Sequence, residues 1–142
     1  MSNSEKKTLT VSTTIALPVA KVWEYWTLPE HIVNWNNASD EWHTPSATND
    51  LRVGGKFVST MAAKNGSASF DFEGEYSQVE EHRLIEYGMV DGRKVRISFS
   101  EEDGATKLVE DFDPETTNPV EMQQAGWQSI LDNFKKYAEQ KG

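Results

Sequence analysis

The alternation of apolar and polar positions divides the chain into a series of strands, interrupted once by short helices and closed by one long helix. From residue 8 to 17 β-branched residues dominate. Leu9, Val11, Thr13, Ile15 and Leu17 share one parity there, which predicts a first strand. Pro18 ends it, and its fixed φ suits a first helical turn. Val19, Val22, Trp23 and Trp26 then recur at i, i+3, i+4 and i+7, so a short amphipathic helix is predicted over 18–26. Thr27 and Glu30 are spaced as a capping box for a second short helix, with Ile32 and Trp35 on its buried side. Residues 36–50 read as a loop with a short strand near 41–44.

Strand signals return over 51–61, where Gly54-Gly55 predicts a bulge or sharp bend and Phe57, Ser59 and Met61 face one way. After the hairpin signal Asn65-Gly66, Phe70, Phe72, Gly74 and Tyr76 alternate with Asp71, Glu73 and Glu75, the pattern of one buried and one wet face. At Gly74 the missing side chain lets the strand bend or leaves room on the buried face. Ile85 and Tyr87 mark a strand over 84–89; Val95, Ile97 and Phe99 mark the next, and 106–112 the last, with Asp91-Gly92 and Asp103-Gly104 as the turns. The acidic row Asp71, Glu73 and Glu75 is expected either to face Lys94 and Arg96 across the sheet or to be solvated.

Asp113-Pro114 breaks the last strand, and Asn118, Pro119 and Glu121 stand at N-cap, N1 and N3 of a helix over 118–141. Its stripe is Val120, Trp127, Leu131, Phe134 and Ala138, flanked by Met122, Ile130 and Tyr137. Gly126 inside that helix costs ~1 kcal/mol relative to alanine, which predicts a close approach by the sheet or a ligand. One long helix against an antiparallel sheet with a wet outer face is an α+β architecture.

Composition narrows the function classes. A chain of 142 residues is the size of one domain and hides ~68–70% of its unfolded surface, so a single unit over 1–142 is expected, with the polar stretch 1–7 disordered. Fourteen Lys and Arg against 23 Asp and Glu give a net charge of −9, which removes the electrostatic footprint of a nucleic-acid or anionic-membrane binder. With no cysteine there is neither a disulfide framework nor thiolate chemistry. No apolar run approaches the ~20 residues of a membrane span, and no signal-type stretch precedes Pro18. The expectation is a cytoplasmic protein. Five Trp, six Phe and four Tyr make 11% of a chain whose mean hydropathy is −0.66, so the rings either fill a core or line a pocket.

Four segments carry a resemblance: VWEYWTLPEHIVNW at 22–35, VGGKF at 53–57, FEGEYSQVEEHRLIEY at 72–87, and the step Ala125-Gly126-Trp127. In this order and spacing they resemble the START-like (SRPBCC, helix-grip) superfamily, in the branch named after the activator of the ninety-kilodalton heat-shock-protein ATPase. The resemblance implies a curved antiparallel sheet of about seven strands around a long C-terminal helix, with two short helices after the first strand. It also implies a cavity between sheet and helix. Its lining would be Trp26, Trp35, Trp42, Phe57, Met61, Phe70, Phe72, Tyr87, Ile97, Phe99, Met122, Trp127 and Ile130. The co-chaperone function belongs to longer proteins of that branch with an added domain.

Chemistry inside such a cavity would need a group with a shifted pKa. His31 in the second short helix and His43 beside Trp42 are candidates for a cavity mouth, while His82 sits in a turn. Spacing for metal ligands, a nucleophile elbow and phosphate-binding glycine loops are all missing from the sequence, so neither metal nor cofactor is expected. The function expected is non-enzymatic binding of a small hydrophobic molecule, lipid-like or aromatic, by a carrier or sensor, with the Trp35 indole or Tyr87 hydroxyl setting its orientation. One alternative is a chaperone-associated or stress-response module that uses the acidic outer sheet on a basic client. The other is a polyketide-cyclase-like enzyme. Nucleic acid and membrane are not expected as partners, and the chain is expected to act as a monomer or weak homodimer.

Overall fold

A computed structural model describes residues 8–37 and 40–141; the expected disorder of 1–7 falls outside them. Seven antiparallel strands form one sheet in the order β1-β7-β6-β5-β4-β3-β2. They are β1 (Leu9–Ile15), β2 (Trp42–Asn49), β3 (Lys56–Ala63), β4 (Ser69–Glu80), β5 (Leu84–Met89), β6 (Lys94–Glu102) and β7 (Ala105–Phe112). Two short helices, α1 (Val19–Thr27) and α2 (Pro29–Trp35), carry the chain from the edge strand β1 to the opposite edge β2, and α3 (Val120–Lys141) lies in the curl of the sheet. This is the expected α+β helix-grip architecture.

The inward parity is the one the alternation predicts. Val11 and Ile15 of β1, Phe57 of β3, Tyr76 of β4, Ile85 and Tyr87 of β5, Val95, Ile97 and Phe99 of β6, and Leu108 and Phe112 of β7 are buried with Leu131, Phe134 and Ala138 of α3. Asp103 and Gly104 both adopt positive φ, 55° and 79°, the two-residue turn that joins twisted strands without splaying them.

Several local features differ from the expectation. Leu28, not Thr27, stands at the N-cap of α2, because Pro29 opens the helix and the Thr27 hydroxyl donates back to Trp23 O at 2.8 Å. β2 is twice the expected length; Pro45 is accommodated because β2 is an edge strand, at an irregularity between His43 and Ser46. Residues 51–55 form a turn before β3 rather than its first part. The acidic row on β4 does not reach β6, since β5 lies between them and its Glu86 takes Arg96 at 2.8 Å.

The N-terminal turn of α3 also differs from the predicted stripe. Val120 and Met122 are exposed, and Gln123 is buried instead. The Gln123 amide donates to Glu115 O and Asn118 O at 3.0 and 2.8 Å and its oxygen accepts from Glu115 N at 2.8 Å, pinning the lead-in to the helix. Further along, the polar side of α3 meets β1. Gln124 donates to Thr10 O at 2.9 Å, Gln128 to Ser12 O at 3.0 Å and Lys135 to Thr14 O at 2.6 Å, while Glu139 accepts from Ala16 N at 2.9 Å. The free edge of β1 is thereby covered by side chains of the helix.

Two glycines show opposite roles. A Cβ at Gly74 would lie 2.9 Å from the rings of Phe57 and Tyr87 and 3.0 Å from Gly88 O, whereas a Cβ at Gly126 would meet nothing within 4 Å. The close approach expected at Gly126 is therefore found at Gly74. The same substitution should act with opposite sign at the two sites. Gly126→Ala is expected to stabilise the protein by about 0.5–1 kcal/mol by restricting the unfolded chain, and Gly74→Ala to destabilise it by about 1–3 kcal/mol by overpacking. Urea denaturation of the two variants measures both; equal effects would contradict the packing described.

Candidate functional site

Where α3 stands off the sheet, a cavity of about 250 Å³ remains between Trp127 and Ile130 of the helix, the inner faces of β3 to β7, and Trp26, Ile32 and Trp35 of α1 and α2. Its wall reaches the surface at Phe70, which is 53% exposed. Eight of the described residues that line it are aromatic. Trp26 and Trp35 stack at 4.7 Å, Phe57 meets Tyr87 edge-on at 4.7 Å, and Trp127 stacks flat on Phe112 at 3.9 Å with an interplanar angle of 6°. Such edge-to-face and offset contacts hold the rings in defined orientations.

Of the residues named in the sequence, the structure brings Trp26, Trp35, Phe57, Met61, Phe70, Phe72, Tyr87, Ile97, Trp127 and Ile130 to this cavity. It places three elsewhere. Phe99 is buried against Trp23 and Trp26, at 5.0 and 6.4 Å, one layer behind the wall. Trp42 packs edge-on to Phe70 at 5.9 Å from the edge strand β2. Met122, 61% exposed, lies on the outer side of the first turn of α3. The histidines do not line the cavity either: His31 Nδ1 sits 2.6 Å from the Tyr137 hydroxyl, His43 is exposed on β2, and His82 lies against Trp23 at 5.9 Å. Among the described residues no group of three His, Asp or Glu side chains is placed to hold a metal ion, and no helix is long and apolar enough to cross a membrane.

The polar groups of the wall fall into two sets. Some are satisfied by the protein. The Trp35 indole donates to Tyr25 O at 2.9 Å, so it is not available to orient a ligand; the Tyr76 hydroxyl donates to Asn49 Oδ1 at 2.5 Å, and Asn49 Nδ2 to Thr27 O at 2.7 Å. Others have no hydrogen-bond partner among the described residues: the Ser59 and Tyr87 hydroxyls and the carboxyl of Glu110. Glu110 is only 6% exposed. Burial pushes its carboxyl up from the ordinary 4.5 to about 8, with a smaller contribution from the neighbouring charge of Asp111. Burial likewise raises the Tyr87 phenol, and Glu110 raises it further, so the two groups sense each other across the cavity wall.

The sequence analysis missed Glu110, yet a signal was present. In β7, Glu110 falls on the inward parity between Leu108 and Phe112, and a carboxylate between two buried apolar residues is costly unless it has a use. Ile32, Ser59, Tyr76 and Ile85, placed on inward faces by the sequence pattern but not named as cavity lining, also border it.

Comparison with known proteins agrees with the fold. The family model described as Activator of Hsp90 ATPase homolog 1-like protein matches residues 16–139. The solution structure of the AHSA1-like protein from Aeromonas hydrophila is similar with 46% identity, a TM-score of 0.86, and coverage of 94% of both chains. A solution structure from Cytophaga hutchinsonii shares 56% identity with a TM-score of 0.81, covering 93% of this chain and 92% of that one. A crystal structure from Nitrosomonas europaea, at 20% identity and a TM-score of 0.83 over 95% and 96% of the chains, shares the fold. Among curated proteins no match was found.

Glu110 makes stability depend on pH. Its folded pKa is raised, so the protein holds a proton that the unfolded chain releases above about 4.5; the stability from this group is fully present below that pH and is lost as pH rises through about 8. Glu110→Gln should therefore match the wild type near pH 4.5 and exceed it near pH 8.5, by on the order of a few kcal/mol. Thermal unfolding of both proteins across this range checks it; parallel curves would show that Glu110 is not a buried acid.

Proposed function

Because this chain belongs to the family of Activator of Hsp90 ATPase homolog 1-like proteins, we propose that it binds a small hydrophobic molecule in the cavity between sheet and α3, as a non-enzymatic carrier or sensor. The fold is one that commonly binds hydrophobic ligands. The observation that carries the reading is a cavity rich in aromatic rings in which some buried polar groups, Glu110 and Tyr87 among them, have no hydrogen-bond partner among the described residues. Apolar lining supplies affinity, and a few fixed polar groups set orientation.

The volume selects within the class. About 250 Å³ lies below the ~300–1,000 Å³ of pockets for drug-sized ligands, which favours a compound of one or two rings over a sterol or a phospholipid. The Tyr87 hydroxyl keeps the orienting role expected of it. The Trp35 indole does not, because it already donates to Tyr25 O.

Ligand-observed NMR with a library of one- and two-ring aromatic compounds tests the reading. Hits are expected for the wild type, with Kd in the micromolar to millimolar range, and are expected to vanish in Ile130→Trp, where the added ring occupies the cavity. An empty screen, or hits that persist unchanged in the filled variant, would overturn it.

A further inference from the structure

A carboxyl buried in an aromatic wall selects among ligands. Among the described residues no Lys, Arg or His lines the cavity, so nothing there compensates an anion, and an anion would be repelled once Glu110 ionises. A ligand cation would instead find both kinds of partner that ammonium groups use: a carboxylate, and the negative faces of Phe57, Phe72, Tyr87 and Trp127. The whole chain carries a net charge of −9, which draws cations and repels anions on approach. Building on the cavity reading above, the geometry points to a hydrophobic primary amine of one aromatic ring as the occupant, its ammonium paired with Glu110 and flanked by the Tyr87 hydroxyl.

The surroundings of Glu110 leave that role to the ligand. Its register neighbours across the sheet are Val11 on β1 and Ile97 on β6, neither titratable. α3 faces the cavity with Trp127 and Ile130, and α1 and α2 face it with Trp26, Ile32 and Trp35. The titratable groups nearby are Tyr87 on β5, Tyr76 on β4 and Asp111 on its own strand; the cation that acts on Tyr87, Arg93, is paired with Asp91 at 2.7 Å and does not act on Glu110. Arg96, opposite Asp111 on the outer face, is taken by Glu86. In the unliganded protein near neutral pH the carboxyl is largely protonated, and pairing with an ammonium favours the carboxylate, so binding releases the Glu110 proton to solvent.

The test compares three probes of one shape: 2-phenylethylamine, 2-phenylethanol and phenylacetate, titrated by NMR into the wild type and Glu110→Gln from pH 6 to 8.5. The amine should bind about tenfold tighter than the alcohol at pH 8, and the acid should not bind. Below the Glu110 transition the amine's affinity should fall by about tenfold per pH unit, while the alcohol's stays flat. In Glu110→Gln the amine should lose both its advantage and its pH dependence; the alcohol reports that the cavity persists in the variant. Alcohol binding as tight as amine binding, or binding of the acid, would overturn the amine assignment while leaving the cavity reading intact. Binding of no probe, with none from the aromatic library, would overturn both.

Discussion

The structure depends on how α3 is held along the edge strand β1. An unpaired strand edge exposes a row of backbone donors and acceptors that must be covered or left to water. Here the cover is a stripe of helix side chains, Gln124, Gln128, Lys135 and Glu139, set against Thr10, Ser12, Thr14 and Ala16. The geometries are commensurate: fifteen helical residues rise ~22 Å, and six strand residues ~20 Å. Each bond contributes only about 0.5–1.5 kcal/mol, yet together they set the axial position of the helix. The apolar stripe sets its rotation, since Leu131, Phe134 and Ala138 are wholly buried.

With position and rotation both fixed, the helix cannot settle evenly onto the sheet. Its C-terminal half fills the core against Trp26 and Trp35, where Phe134 meets both rings at 4.9 Å. Nearer its N-terminus, Trp127 is tied to Phe112 by stacking, and the space between it and the far strands remains open. Gly74 shapes the opposite wall: without a Cβ it admits the rings of Phe57 and Tyr87, which would otherwise be displaced. The cavity is therefore lined largely by side chains that are satisfied elsewhere. The Tyr87 and Ser59 hydroxyls and the Glu110 carboxyl are not, and of these Glu110 is the most costly. Buried with a raised pKa and no hydrogen-bond partner among the described residues, it is a cost to the empty protein that a ligand can offset.

Much of this was legible in the sequence, in a specific way. A period of two assigns each strand residue to a face, so Phe57, Phe72, Tyr87 and Ile97 could be placed inward from the chain alone. Period 3.6 did the same for Trp127, Leu131 and Phe134. Burial by face does not distinguish a residue that borders a cavity from one that packs behind it, and for that reason Phe99 was expected at the wall. Val120 fell on the helical stripe and Met122 beside it, yet both are exposed, because periodicity does not say how far along the helix the partner surface extends. Gln124, Gln128, Lys135 and Glu139 lie off the apolar stripe, and nothing local marks a polar side chain that reaches another element's backbone.

The sequence by itself determined the element order, the inward faces, the two turns of Asp-Gly type and the family resemblance, because these rest on short-range periodicity and local backbone preference. Tertiary structure alone decided three things. It decided that the polar side of α3 covers β1, that the cavity wall approaches closely at Gly74 and not at Gly126, and that a carboxyl on β7 faces aromatic rings instead of water. The reason is common to all three: periodicity states which side of an element is buried, while the distance between two buried sides depends on register and crossing of elements far apart in the chain.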